Sequence, residues 1–274
     1  MYYNYNFCVR QSAELEQALK ELDIHYDVSD YGSLVPTLIS FTIRDNIEKV
    51  ANISALTKHK PIVTAVYTRS EIERAKLLWL WPKKQNIEIT NRAQAFTYTC
   101  SYTCSYGNRV HHEKQVAPLH IARQPSYKGN CAFWCEDTVF AQLFTDIRVR
   151  KIVEANSLTG FVFHDVILKN GSRAENIFQL GSTAVLPIEA IATGYGEIAN
   201  TCPFCGKVQF EHDNKYQLHL RSDVVASCSD FYMTEDFWGP GIGRPLYIIS
   251  QRFYQHLINN KLTDGITVSP VVIQ

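Results

Sequence analysis

One arrangement recurs in this chain, and it limits the available folds more than any other feature. Residues 146–167 and 249–272 each read as a helix running into Asn-x-Leu-Thr, then a glycine, then a strand. The glycines are Gly160 and Gly265. A glycine at or just past a helix end takes up the left-handed conformation that closes the last turn, so both are expected as caps. Phe161 and Phe163 in one copy, and Ile266 and Val268 in the other, alternate as a strand with one buried face requires. An aromatic-rich segment precedes each copy, Thr138 to Phe144 and Phe231 to Trp238. Two copies are too few for a solenoid, which needs about three. The pattern predicts duplicated α/β modules, a helix-Gly-strand unit over 137–168 and 231–273.

The first part of the chain has a different rhythm. Tyr5, Phe7 and Val9 alternate as a strand. Ser12 is placed to cap a helix whose apolar stripe is Leu15, Ala18, Leu19 and Leu22. Ile24, Tyr26 and Val28 alternate again, and Ser29-Asp30-Tyr31-Gly32-Ser33 has turn chemistry. Ile39, Phe41 and Ile43 give a third strand. Asp45 is expected to cap a second helix with Ile47, Val50 and Ala51 facing inward, and Ile62 to Tyr67 is a fourth strand. The order β-α-β-β-α-β is that of a ferredoxin-like, split βαβ unit. Ser70 to Trp81 reads as a further helix with Ala75, Leu78 and Trp79 on its apolar face, stopped by Pro82-Lys83-Lys84. The 274 residues suit about two domains. They are expected as 1–90, an α+β domain with its linker helix, and 91–274, a zinc-knuckle α/β domain carrying the repeat.

Hydrophobic residues are 46% and charged residues 20%, which excludes a mainly disordered chain. Lys plus Arg and Asp plus Glu are 27 each, so the net charge is zero and argues against bulk phosphate binding. No apolar run approaches the ~20 residues that span a bilayer. Met1 to Arg10 lacks a basic region followed by an apolar one, so the sequence predicts no secretion signal and a cytoplasmic protein. In that compartment the 8 cysteines stay reduced, and closely spaced pairs read as metal ligands rather than disulfides.

Cys202-Pro203-Phe204-Cys205-Gly206 is a zinc knuckle. Cysteines at i and i+3 on a tight turn aim both thiolates at one ion, and the following glycine lets backbone N–H groups turn toward the sulfurs. A closed structural site needs two more ligands. Cys100 and Cys104 are the first candidates, although their spacing is one residue longer than CxxC. His212, His219 and Cys228 are local alternatives. Cys131 and Cys135 share the long spacing but sit among aromatics of the buried type. Cys8, inside an alternating strand, reads as a small buried hydrophobe.

Other constellations are weaker. Gly194-Tyr195-Gly196-Glu197-Ile198-Ala199 matches GxGxxA, but Asn200-Thr201-Cys202-Pro203 follows where a helix should start, so it reads as a loop. Gly239 to Gly243 is also a loop. His111-His112-Glu113, flanked by Asn108, Arg109 and Lys114, reads as a solvated loop with metal or base chemistry as the alternative. The chain contains no Walker loop, GxSxG elbow or HExxH helix.

At the knuckle and the repeats the sequence resembles a bacterial group that includes the double-CxxCG motif proteins and immunity partners of polymorphic toxins. The resembling pieces are Gln115 to Ile121, Glu175 to Leu180, Cys202 to Gly206, Asp230 to Trp238, Ile248 to Ser250, and Pro270-Val271. They lie within roughly residues 96–273 and leave the N-terminal segment uncovered. Cys100 to Cys104 departs from the pattern, being CxxxC where those proteins have CxxCG. The resemblance implies a non-enzymatic, protein-binding role with zinc holding the scaffold.

The favoured function is therefore a protein-binding module, an immunity or antitoxin protein whose partner is a toxin. Glu235-Asp236 beside Phe237-Trp238, and Glu136-Asp137 beside Trp134, are candidate patches that combine charge with aromatic anchors. A zinc-ribbon nucleic-acid binder is the alternative. It is weakened because Lys207 and Lys215 are balanced by Glu211 and Asp213 around the knuckle. A hydrolase using His111, His112 or a cysteine is the second alternative.

Overall fold

The structure is a computed structural model. It describes all residues except 31–35, 84, 105–106, 126–128, 137–141, 188–189, 192–197, 202–207, 211–216, 226–228 and 236–244. Of 85–86, 98–104, 107–114, 198–201 and 208–210 it describes the backbone alone. The chain is a strand-rich α+β protein with few helices and several sheets. It divides into two compact units, Met1–Glu71 and Ile72–His212 with Leu218–Gln274. No helix among the described residues is long and apolar enough to cross a membrane.

The first unit runs β1 (Tyr2–Arg10), α1 (Ala13–Glu21), β2 (Tyr26–Ser29), β3 (Leu38–Arg44), α2 (Ile47–Thr57) and β4 (Ile62–Val66). Its sheet has the order β2-β3-β1-β4, antiparallel throughout. Period-two alternation buries Phe7, Val9, Ile39, Phe41 and Ile43 on the side where Leu15, Leu19 and Ile53 of the helices pack. Phe7 and Phe41 are cross-strand partners with stacked rings, centroids 4.9 Å apart. The Ser12 hydroxyl accepts from Leu15 N at the start of α1.

Three expectations change here. The cap of α2 is Asn46, whose side chain accepts from Lys49 N at 2.9 Å. Asp45 has φ 42 and accepts from Tyr3 N across the sheet instead. Ile47 is 73% exposed and Ala51 is exposed, because the inward stripe at helical spacing is Val50, Ile53 and Leu56. Cys8 is exposed, since alternation that buries Phe7 and Val9 turns it to the other face. That face is polar: Thr42 donates to Asn6 Oδ1, and Asn6 donates to Thr64 Oγ1 and Ile62 O. A hollow of about 640 Å³ is lined there by Asn6, Cys8, Ser40 and Thr42 together with His25 and His59.

The chain enters the second unit within α3 (Arg69–Arg74) and continues into β5 (Leu77–Pro82). The expected helix over Ser70–Trp81 is thus a short helix and a strand, and residues 72–90 belong with the second unit. Leu77-Leu78-Trp79-Leu80-Trp81 is apolar at every position, so no period separates helix from strand. Pairing on both edges, with Leu77, Leu78 and Leu80 buried, decides it. Next come β6 (Gln85–Ile87), α4 (Arg92–Ala95), β7 (Phe96–Cys104), β8 (Gly107–Gln115), β9 (Leu119–Ile121), β10 (Phe133–Glu136), β11 (Leu143–Asp146), α5 (Ile147–Ala155) and β12 (Phe161–Leu168). They are followed by β13 (Arg173–Ser182), β14 (Val185–Leu186), β15 (Ile198–Thr201), β16 (Val208–Phe210), β17 (His219–Leu220), β18 (Phe231–Thr234), β19 (Tyr247–Ser250), α6 (Gln251–Asn259) and β20 (Ile266–Ile273).

Two six-stranded sheets result, ordered β6-β10-β11-β13-β12-β9 and β14-β18-β19-β5-β20-β17. Position by position they have the same directions: the outermost pair at each end is parallel and every inner pair is antiparallel. In chain order the two copies run β5 to β12 and β13 to β20. The first strand of each copy lies in the other copy's sheet: β5 pairs with β19 and β20, and β13 pairs with β11 and β12. The central strands are exchanged.

The helix ends explain the shared Asn-x-Leu-Thr. Asn156 and Asn260 cap α5 and α6, and each side chain donates to the carbonyl four residues back. The left-handed residues that close the last turns are Ser157 (φ 49) and Lys261 (φ 58), not the glycines expected as caps, although Gly160, three residues further on, also has a positive φ of 90. Leu158 N and Leu262 N then bond back to Val153 O and Leu257 O. Gly160 and Gly265 answer to close approach. A Cβ on Gly160 would overlap the Phe231 carbonyl of the second copy. One on Gly265 would lie 2.6 Å from Cys131 Sγ and 2.9 Å from Phe133 O of the first.

The core follows the same plan. A central cluster joins both copies and includes Leu80, Phe133, Val149, Leu180, Phe231, Phe253 and Leu257. Ile177, Trp134, Phe144 and Val166 belong to a second cluster, and Leu77, Tyr232, Ile248 and Val271 to a third.

Candidate metal centre

Each copy carries a two-stranded hairpin at the same place in its element order, β7-β8 in the first and β15-β16 in the second. An antiparallel bridge joins residues that flank each hairpin in the chain, Ile89 with Ile121 and Ile191 with Leu220. The two sequences correspond. Thr99-Cys100, Cys104 and Gly107-Asn108-Arg109-Val110 match Thr201-Cys202, Cys205 and Gly206-Lys207-Val208. Cys202 and Cys205 fall in the stretch between β15 and β16 that lies outside the described residues; His212, after β16, and Cys228, before β18, also lie outside them.

The root of the first hairpin is built from side chains far apart in sequence. Gln115 donates to Gln179 Oε1 at 2.9 Å, and Gln179 donates back to Gln115 Oε1 at 2.7 Å and to Gln142 Oε1 at 2.9 Å. Val116 N bonds to Ala95 O, and Ala95 and Phe96 are buried. Arg92 forms an ion pair with Glu136, which is 1% exposed, and its guanidinium lies 5.5 Å from the centre of the Phe96 ring. A carboxylate this deep is tolerable only with a partner of opposite charge. Glu136 and Trp134 therefore make no surface patch; both are core. In the other patch Glu235 is exposed, while Asp236, Phe237 and Trp238 lie outside the described residues.

Register fixes the spacing of the hairpin's donors. Cys100 pairs with His111, Ser101 with Val110, Tyr102 with Arg109, Thr103 with Asn108, and Cys104 with Gly107. The stretch expected as a solvated loop at His111-His112-Glu113 is a strand, because its polar residues are held by this ladder. Four residues of extended chain separate Cys100 from Cys104, roughly 13 Å at about 3.3 Å per residue. Two thiolates that share one zinc each lie about 2.3 Å from it, so a spacing this long along a strand suits the ion less well than the tight CxxC turn. Cys100 and His111 stand directly opposite each other in the ladder. His219 lies in β17, with Nδ1 3.0 Å from Gln274 Oε1. Cys131 and Cys135 are buried in the core. Among the described residues no three His, Cys, Asp or Glu side chains converge as a metal site. The sequence offered no local signal for the glutamine pair or for Arg92 with Glu136, since each joins residues tens of positions apart.

Compared with known proteins, the chain matches no family model, no curated protein and no solved structure.

Proposed function

We propose that the protein is a non-enzymatic, protein-binding module, an immunity or antitoxin protein of the bacterial cytoplasm that neutralises a toxin. The observation that carries this reading is the rooting of the first hairpin. A ribbon bearing Tyr98, Tyr102, Arg109, His111 and His112 is fixed to the core by the Gln115–Gln179 pair and the buried Arg92–Glu136 pair. Tyrosine and arginine on a rigid support are the residues that dominate protein interfaces. The buried carboxylates Glu136, Asp146 and Asp230 support the same reading, because each holds an arginine or backbone N–H. The first unit's strand order β2-β3-β1-β4 supports a ferredoxin-like accessory domain.

A structural zinc at Cys202 and Cys205 is part of the proposal, with its remaining ligands from the first hairpin. The register favours Cys100 with His111 over Cys100 with Cys104. Thiolate and imidazole donors suit zinc. Protein purified without added metal should hold about one zinc per chain. Cys202→Ser, Cys205→Ser and Cys100→Ser should lose it, while Cys104→Ser keeps it. Metal-free wild type sinks the zinc centre, and loss of zinc in Cys104→Ser restores the Cys100–Cys104 pairing.

The function is tested by co-expressing the chain with the toxin-like product of a neighbouring gene. A stable complex and restored growth are expected. Failure of the pair to associate, or turnover of a substrate by the purified protein, overturns the reading.

A further inference from the structure

We infer that the strand exchange crosses the anchors of the two hairpins, so that each copy's first strand holds the other copy's hairpin in place. The cluster around the Ile191–Leu220 bridge, whose two residues flank the second hairpin in the chain, contains Ala190, Ile191, Leu218, Leu220, Tyr232 and Ile248, all from the second copy. Leu77 of β5 is its one buried member from the first copy among the described residues, with the partly buried Trp79 of the same strand packed against it. The cluster beneath the first hairpin mirrors this. Ala95, Phe96, Ile121 and Trp134 come from the first copy, while Ala174 and Ile177 enter from β13. The glutamine pair repeats the crossing, since Gln115 ends the first hairpin and Gln179 lies on β13.

Leu77 and Ile177 hold equivalent places. Leu77 is the partner of Ser250 next to the start of α6, and Ile177 is the partner of Asp146 next to the start of α5. Neither hairpin therefore depends on its own copy alone. A cavity opened in β5 is felt about a hundred residues away, at the Ile191–Leu220 bridge flanking β15-β16, before it is felt at β7-β8, its neighbour in sequence. The device makes the two ribbons a coupled pair: loosening the start of one copy frees the hairpin of the other. The coupling does not depend on what the ribbons bind.

Hydrogen exchange on the intact chain tests this. Leu77→Ala should speed amide exchange roughly tenfold or more in 190–191, 198–201, 208–210 and 218–220, with a smaller change in 96–115. Ile177→Ala should do the reverse, speeding 96–115 and 119–121 first. If either alanine variant does not fold, Leu77→Val and Ile177→Val carry the same comparison with a smaller cavity. The inference is overturned if each substitution loosens the hairpin of its own copy, or if both hairpins respond equally to either one.

Discussion

Replacing Asp230 by alanine probes the joint between the two copies. Asp230 is 5% exposed, and its carboxylate is shared. Oδ1 accepts from Ser250 Oγ at 2.7 Å, and Oδ2 from Thr159 N at 3.0 Å, while Thr159 O takes the Asp230 N–H. Thr159 belongs to the first copy and the other two to the second. A buried hydrogen bond to a charged group contributes about 1.5–3 kcal/mol, so losing two costs about 3–6 kcal/mol. Ser250 Oγ still accepts from Phe253 N, which keeps the cap of α6 and favours the lower half of that range. The Arg252 contact at 3.5 Å adds little, since Arg252 is 56% exposed. A loss of about 4 kcal/mol lowers Tm by roughly 8–16 °C in a domain of this size. Urea denaturation and thermal melts of wild type, Asp230→Ala and Asp230→Asn measure it. Asparagine keeps the shape and one acceptor, and should fall between. A loss under about 1 kcal/mol in Asp230→Ala would show that Thr159 and Ser250 find other partners, and the joint would not be what holds the copies together.

Gly160→Ala and Gly171→Ala separate space from backbone strain. Both glycines have positive φ, 90 and 84, but only Gly160 abuts the Phe231 carbonyl, while nothing lies within 4 Å of a Cβ on Gly171. Gly171→Ala should cost about 1 kcal/mol and Gly160→Ala at least about 3 kcal/mol in urea denaturation. The Asp223 carboxyl is held below its ordinary value by hydrogen bonds and charge from Arg221. Its contribution to stability is therefore present above the unfolded carboxylate value near 3.9 and fades as pH falls through the lower folded one. Carbon-detected NMR titration should show Arg221→Ala restoring ordinary behaviour. Cys8 should react with an alkylating reagent in the native protein, whereas Cys131 and Cys135 should react only after unfolding; peptide mass mapping distinguishes them.

The legibility of the sequence varied with the range of the contacts involved. Strands at Phe7, Phe41 and Phe161 and the helices at 13–21, 147–155 and 251–259 follow local alternation, stripes and caps, and short-range chemistry suffices for them. The run at Leu77–Trp81 carried no period, and its state was decided by β19 and β20, more than 160 residues away. His111 to Lys114 looked like a loop because its polar residues gave no burial signal, yet a cross-strand ladder holds them. The pairing of Gln115 with Gln179, and the exchange of β5 with β13, exist only between distant segments. In the candidate site, the cysteine spacing was visible, but the register that opposes Cys100 to His111 was not.

Glu136 and Thr234 occupy one place in the two copies, each the last residue of its strand and set beside the edge strand, Glu136 with Ile87 and Thr234 with Leu186. One is a buried anion facing Arg92; the other is a hydroxyl that accepts from Leu246 N at 2.7 Å. The strand order and pairing are the same, and the side-chain contacts differ. The halves thus differ in chemistry on a common topology. They are no longer interchangeable parts, because threonine in place of Glu136 would strand a guanidinium charge in the interior.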